Sequence, residues 1–598
     1  VSTQTTNTGI YLYGDVSHNL LNNNISVNGG KALYVLDGSD MEASDNNNFF
    51  TTGQDLAYWG GTTVQTFTQL QALSQMDSNS ISEPPYFLSN TSFQTGQVAL
   101  NNSAVVFAGV ATDIEGEIRS GTTPDIGADE FTPTGVDVGI YNIILPEIPY
   151  AQGNYDIKAV VKNFGGTTLT NATIQWSVNG IAQPDIAFSG SLATGGIDTV
   201  TLASYPLMEK TIYNIKANTT SPNGGSDGIA VNDTAWYGPT TPALGGNYTI
   251  GGATPDFADF SDAVQVINLG GVTNNVNFKV RNGSYNERIA ITNYPKTDSV
   301  YNITFQSESG DSSAVTLATG YVDASHNYII RLNGTQGISF RDMTIQNTST
   351  NSYSRAIQLD SGAAYVKFVG CNIVSGLTTS SNTSAIHLFN SLNGLRSIHD
   401  VVIDSSAIKG GYYNVYLQGR NGDEYNFSFT NSHFSKAYVY GIQAYYVDSI
   451  TIDNNIITPR TSPSASYTGI YLYDIQYGSA RGNKILTPVS NYGIYTYQIN
   501  GSATKPFVFA NNFITTGGSY SDGYGLQLYR VNYTKVVYNN ILSLNSSSTS
   551  AAFRDIYNYY NGSNGIEVMN NVFQHNGPGY AAYYTNSLTT TTGDYNTL

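Results

Sequence analysis

One short pattern returns through the second half of the chain at nearly constant spacing. It is a polar residue, most often asparagine, then any residue, then an aliphatic or aromatic one. It occurs at Asn455-Ile456-Ile457, Asn483-Lys484-Ile485, Asn512-Phe513-Ile514, Asn540-Ile541-Leu542 and Asn571-Val572-Phe573, with the asparagines 28, 29, 28 and 31 residues apart. Weaker matches carry the register upstream through Ser432-His433-Phe434, Ser406-Ala407-Ile408 and Asn372-Ile373-Val374 to Met343-Thr344-Ile345, nine turns in all. A second motif keeps step with it, as in Ala385-Ile386-His387-Leu388, Gly469-Ile470-Tyr471-Leu472 and Gly493-Ile494-Tyr495-Thr496. There Ile and Leu alternate with His or Tyr, the period of a half-buried strand.

A repeat of this length, with short strands and no helical spacing, predicts a solenoid of stacked parallel strands. Asparagine suits its corners for two reasons. It tolerates the left-handed backbone a tight corner needs, and its amide can bond to the next turn about 4.8 Å away. The expected inward ladder is Asn372, Asn455, Asn483, Asn512, Asn540 and Asn571.

The pattern also occurs at the start of the chain. Gly9-Ile10-Tyr11-Leu12-Tyr13 repeats Gly469-Ile470-Tyr471-Leu472-Tyr473 letter for letter. Asp45-Asn46-Asn47 matches Asp594-Tyr595-Asn596 at an offset of 549, and Asn23-Asn24-Ile25 matches Asn571-Val572-Phe573 at 548. The expectation is a tandem array with a period of about 550 residues. Residues 1–133 would end one solenoid, 134–240 form a spacer, and 241–598 form most of the next, cut before its end. A helix near 257–269 would cap that second solenoid, because Phe257, Phe260, Ala263, Val264 and Ile267 share a helical face and Gly270-Gly271 ends it. In the spacer, turns at Asn163-Phe164-Gly165-Gly166, Asn179-Gly180 and Asn223-Gly224-Gly225 are spaced as in a small β-sandwich.

Charged residues are 11% of the chain and the formal net charge is −18. That balance argues against nucleic acid or an anionic membrane as partner, since both need a basic footprint. One cysteine, Cys371, excludes an intrachain disulfide and reads as a small buried hydrophobe. No apolar run approaches the length of a membrane span.

Three segments resemble known families. Pro124-Asp125-Ile126-Gly127-Ala128-Asp129-Glu130-Phe131 resembles the closing turn of right-handed β-helices in giant surface proteins of bacteria that use type IX secretion. Val160-Val161-Lys162-Asn163-Phe164-Gly165, Trp176-Ser177-Val178-Asn179-Gly180 and Asn232-Asp233-Thr234 resemble the Ig-like adhesion module CARDB, whose members lack catalytic residues. Asn247-Tyr248-Thr249-Ile250-Gly251-Gly252, followed by Asn282-Gly283-Ser284-Tyr285-Asn286-Glu287, resembles the entry into pectin-lyase-like β-helices. Together the resemblances imply an all-β chain of right-handed parallel β-helices separated by an Ig-like β-sandwich.

Many β-helices are carbohydrate-active enzymes, which need converging carboxylates. The column two residues before the corner motif reads Asp404, Thr430, Asp453, Arg481, Ala510, Tyr538 and Met569, with Asp453 and Arg481 placed to pair. The six histidines, His18, His326, His387, His399, His433 and His575, follow no ligand spacing. The chain reads as a non-enzyme with no catalytic residues and no required cofactor.

Calcium is the metal to consider, at Asp113, Glu115, Glu117, Asp125 and Asp129, with Glu130 beside them and Arg119 to offset their charge. The loop with Asn223, Asp227, Asn232 and Asp233 is a weaker candidate. Tyr471, Tyr473, Tyr495, Tyr497 and Tyr529 could stack on sugars or a neighbouring chain, or form aromatic ladders between turns. Asp-Ser/Thr-apolar triplets at Thr199, Thr234, Ser299 and Ser449 resemble the O-glycosylation signal of the same bacterial group.

The expectation is an adhesive segment of a giant cell-surface protein, an extracellular rod or filament. Its partners would be copies of itself and the glycans of other cells, prey or a substratum. The alternatives are a polysaccharide lyase or hydrolase, and a passive glycan-binding module.

Overall fold

The computed structural model describes residues 7–13, 17–88, 94–296, 301–360, 362–389, 397–420, 423–519, 522–556, 565–585 and 591–598. They fall into two compact units. The first is Val1–Glu147, Gly153–Leu207 and Ile212–Thr240, and the second is Ile148–Gln152, Met208–Thr211 and Thr241–Leu598.

The second unit holds a long parallel coil with three strand positions per turn. One turn runs through Ala364–Val369, Asn372–Val374 and Thr383–Phe389, and the next through His399–Asp404, Ala407–Lys409 and Tyr413–Gln418. Each strand pairs in parallel with its counterpart one turn on, for example Ile373 with Ile408 and His387 with Tyr416. The middle position stacks eleven strands among the described residues, from Gly283–Tyr285 to Val572–His575. The first and third positions share one sheet, because Tyr440–Asp453 and Thr468–Arg481 run through the corner between them. That corner turns at left-handed residues, Tyr446 (φ 55°) and Asp474 (φ 54°).

Alternation along each strand sends every second side chain inward. Ile345, Ile373, Ile408, Phe434, Ile457 and Ile485 form one buried column. Phe278, Phe305, Phe340 and Phe368 form another, stacked at centroid distances of 4.7, 5.1 and 5.3 Å.

The asparagine ladder is present, with two corrections. Asn455, Asn483, Asn512, Asn539, Asn571 and Asn596 link successive turns: the Oδ1 of each from Asn483 on accepts from the backbone N–H and Nδ2 of the one before. The rung is therefore Asn539, and Asn540 is the exposed first residue of the strand that follows it. Asn372 is likewise one residue too late, since it pairs in register with Ala407, and Cys371 occupies the rung. The column continues as Cys371, Ser406 and Ser432, where hydroxyls take over the acceptor role. The residue before each rung supplies the left-handed turn. Asp342, Gly370, Ser405, Asn431, Asn454, Gly482, Asn511, Tyr538, Asn570 and Tyr595 have φ between 50° and 66°.

Helix α1 (Phe67–Ser74) and helix α2 (Phe260–Gly270) are the α-helices among the described residues, and neither is long or apolar enough to cross a membrane. Helix α2 starts three residues after Phe257, which instead bridges Ile250. Asp259 caps it, the Glu287 carboxylate accepts from the N–H groups of Phe260 and Ser261, and Gly271 closes it at φ 73°. Its buried face of Phe260, Ala263, Val264 and Ile267 lies against the entrance of the coil.

The first unit repeats the corner chemistry on a shorter coil. Thr8–Leu12, Lys31–Val35 and Ala57–Trp59 pair in parallel, and Asn23 donates from its N–H and Nδ2 to Asn47 Oδ1. Asn47 Nδ2 donates in turn to Leu20 O, the bond that Asn596 makes to Val568 O. Beyond it, Ile197–Leu207, Gly153–Asn163 and Val138–Ile144 form one antiparallel sheet. Leu169–Val178, Tyr213–Thr220 and Thr234–Thr240 form the core of a second.

Candidate functional site

The third strand position of the long coil presents an outward column of polar and aromatic side chains. In register it reads Arg331, Gln358, His387, Tyr416, Gln443, Tyr471, Tyr495, Gln527 and Arg554. A parallel column two residues on carries Phe389, Gln418, Tyr445, Tyr473 and Tyr497. The alternation that buries Ile386, Ile442, Ile470 and Ile494 in the core turns these residues away from it, where His387, Gln443 and Gln527 are in turn covered by neighbouring side chains.

In the later turns the tyrosines stack along the axis. Tyr471 and Tyr495 lie 5.1 Å apart at 5°, Tyr473 and Tyr497 4.7 Å apart at 7°, and Tyr497 and Tyr529 5.0 Å apart at 28°. Rings in this geometry cover one another's faces, so they serve as ladders between turns and leave edges rather than faces for a sugar. The short coil repeats the device with Tyr11, Tyr34 and Tyr58, at 4.5 and 4.4 Å.

In the earlier turns the same face opens into a cleft of about 470 Å³, whose lining includes Arg355, Gln358, Asp360, His387, Tyr413 and Tyr416. Asp360 accepts from Arg331 Nε at 2.5 Å and from Gln358 Nε2 at 2.9 Å. Arg355 donates to Gln358 Oε1 at 3.3 Å and keeps a buried Nε with no acceptor. His387 stacks on Tyr416 at 5.0 Å, and burial together with the Arg355 charge pushes its pKa well below the usual histidine value. A neutral imidazole, fixed guanidinium donors and one anchored carboxylate form a surface suited to hydroxyl-rich ligands. Sequence inspection passed over Arg331, Arg355 and Asp360. Their turns lack the Gly-Ile-Tyr signature, and only the strand register brings them together.

The remaining candidates separate. Asp113 Oδ1 accepts from the N–H groups of Glu115 and Glu117, and its Oδ2 from that of Glu130. These bonds, Glu130's foremost, hold the Asp113 carboxyl below its usual range. Asp113, Glu115 and Asp129 bring carboxylate oxygens within 4.8 Å of one another. Burial and the charges of Glu115 and Asp113 push Asp129 up to about 6. Asp125 does not join them. It is buried and accepts from Asn102 N at 2.6 Å and Phe131 N at 2.7 Å, a clasp for the closing segment. Glu117 stays exposed outside the group, and Glu130 pairs with Arg119 at 3.3 Å.

Asp404 is occupied by Thr430, Asn431 and Ser405, and Asp453 by the Ser479 hydroxyl. Arg481 reaches Asp453 through its backbone N–H at 2.9 Å, not through the expected guanidinium contact. His399 pairs with Asp400 at 2.7 Å, and His575 meets the Ser550 hydroxyl at 2.8 Å. Of the glycosylation candidates, Thr199 is exposed, Thr234 is half-buried, and Ser449 exchanges hydrogen bonds with Asn426. Ser299 lies outside the described residues.

Residues 413–597 match the family profile described as the right handed beta helix region. No curated protein sequence matches the chain. Among solved structures, the CARDB domain of a Pyrococcus furiosus protein, crystallised with di-metal ions, is 18% identical, with 18% of this chain and 90% of that one covered at a TM-score of 0.16. A pectin methylesterase is 15% identical over 46% of this chain and 80% of its own, at 0.28. PfbA, a Streptococcus pneumoniae surface protein and adhesin, is 12% identical over 56% and 93%, at 0.30. Similarities of this size leave the chemistry of those proteins with those proteins. The chain is an all-β protein that carries a right-handed parallel β-helix.

Proposed function

We propose that the chain is an extracellular adhesive segment of a giant, repetitive cell-surface protein, a stiff spacer that presents the outward face of its coil to glycans or to copies of itself. The observation that carries this reading is the continuity of axial pairing. Strand follows strand in parallel from Leu244–Ile250 to Thr591–Asp594, reinforced inside by the asparagine ladder and outside by the tyrosine ladder. A coil bonded along its axis resists bending and extends reach at about 4.8 Å per turn. Low charge leaves sides that can pack laterally, so lateral bundling belongs to the proposal. Calcium at Asp113, Glu115 and Asp129, and glycosylation at the exposed Thr199, fit an extracellular setting and are part of the same reading. The test is attachment: beads coated with the purified chain should hold to glycan-coated surfaces under shear without releasing sugar.

A second reading, a carbohydrate-active enzyme, draws on the cleft where Arg331, Arg355, Asp360 and His387 meet. Sugar released from a polysaccharide by the purified chain, and lost in Asp360→Asn, would favour it over adhesion.

A further inference from the structure

We propose that Asp137, Asp227, Asn232 and Asp233 form a calcium site in the sandwich of the first unit. Asp137 immediately precedes strand Val138–Ile144, and the other three lie in the loop between Tyr213–Thr220 and Thr234–Thr240. Asp137 is 2% exposed and Asn232 0%. Three of their oxygens, Asp137 Oδ1, Asn232 Oδ1 and Asp233 Oδ1, are buried and accept no hydrogen bond. The bonds the group does make are long: Asn232 Nδ2 to Asp137 Oδ2 at 3.4 Å, Val138 N to Asp227 Oδ2 at 3.3 Å and Ile229 N to Asp227 Oδ1 at 3.3 Å.

Burying carboxylate oxygens that no donor reaches is unfavourable. Here the charges pressing on Asp137 are more carboxylates, those of Asp227 and Asp233. The loop is drawn in closely. A Cβ on Gly139 would sit 2.2 Å from Asn232 O, so glycine at that position admits the approach. A divalent ion relieves the strain in charge that protein donors leave. Carboxylate and amide oxygens alone, without nitrogen or sulfur, make up a set for a hard cation, and an irregular loop suits calcium better than magnesium.

Asn223, at the other end of that loop, has a different task. Its Oδ1 accepts from Thr170 N and Asn171 N and its Nδ2 donates to Thr168 O, pinning the loop to the neighbouring strand. Asp137 escaped sequence inspection because it is distant in the chain from its partners.

The test is calorimetric titration of the whole chain with calcium chloride after chelation, on the parent, on Asp137→Asn/Asp233→Asn and on Asp113→Asn/Glu115→Gln. The site predicts saturable binding with a dissociation constant of about 10⁻⁴–10⁻³ M, as for extracellular modules. The Asp137→Asn/Asp233→Asn variant should bind at least about tenfold more weakly and, in chelator, unfold at or above the parent's midpoint. The Asp113→Asn/Glu115→Gln variant should keep this site. A measurement on the parent alone guards against misfolding of a variant: calcium should increase hydrogen-exchange protection across residues 227–234. Absence of saturable binding, unchanged affinity in Asp137→Asn/Asp233→Asn, or unchanged protection of that loop would each overturn the proposal.

Discussion

Asn483 uses every hydrogen-bonding position of its side chain to join three turns of the coil. Its Oδ1 accepts from Asn455 N and Asn455 Nδ2 at 3.0 and 3.1 Å, and its Nδ2 donates to Ile452 O and Asn512 Oδ1 at 2.7 and 3.0 Å. An amide has two acceptor lone pairs and two donors, so asparagine is saturated here, and neither aspartate nor serine can do the same. Asn483→Ala should destabilise the coil by about 3 kcal/mol, since it orphans buried groups on both neighbouring turns. Asn483→Asp should cost at least as much at neutral pH, because it turns acceptors toward Ile452 O and Asn512 Oδ1. Denaturant unfolding of the two variants checks both.

Cys371 takes the same rung with a thiol. Its Sγ donates to Phe340 O at 3.4 Å, the counterpart of the Asn483 bond to Ile452 O. Burial pushes its pKa up to about 12. Thiol reagents should therefore label the native chain only as fast as the coil opens, and labelling should become rapid in denaturant. Cys371→Ser retains a donor and should change stability by less than about 1 kcal/mol.

Tyr497 is stacked between Tyr473 and Tyr529, and its hydroxyl accepts from Arg530 Nη1 at 2.6 Å. Tyr497→Phe removes only the hydroxyl and its bond from Arg530 and should cost about 1 kcal/mol. Tyr497→Ala removes both stacking contacts and should cost about 3 kcal/mol. Similar losses for the two substitutions, read by urea unfolding, would contradict a structural ladder.

His387 gives the coil a pH dependence of predictable sign. Its folded pKa lies below the ordinary 6.5 because burial, and then the Arg355 charge, disfavour the imidazolium. Its contribution is fully present above 6.5 and is lost as pH falls toward the folded value, by about 1.4 kcal/mol per pH unit. The facing groups are Arg355, Ser384, Phe389 and Tyr416. His387→Gln should flatten this part of the stability profile between pH 6.5 and 5, measured by unfolding at fixed temperature.

Legibility in the sequence followed locality. Ile and Leu at alternate positions disclosed the strands, and the spacing of Asn-x-aliphatic disclosed the turn. At Asn539-Asn540 two adjacent asparagines fit the pattern equally well, and the choice depends on which residue follows the left-handed Tyr538, a backbone property. At Cys371-Asn372 the more conspicuous residue lies one place beyond the rung. Asp113, Glu115 and Asp129 could be grouped from the sequence because they are close along it, yet Asp125, between them, turns inward to hold two N–H groups. Helix α1 was missed, although Thr66 and Gln69 form the capping box that announces it.

The central claim is that the coil belongs to a surface-displayed adhesive array. The measurement that tests it most directly is the mass and location of the native polypeptide on intact cells, read by an antibody against this coil before and after external protease. The account predicts a band of several hundred kilodaltons that external protease removes. A band near 64 kDa confined to the culture fluid would contradict it.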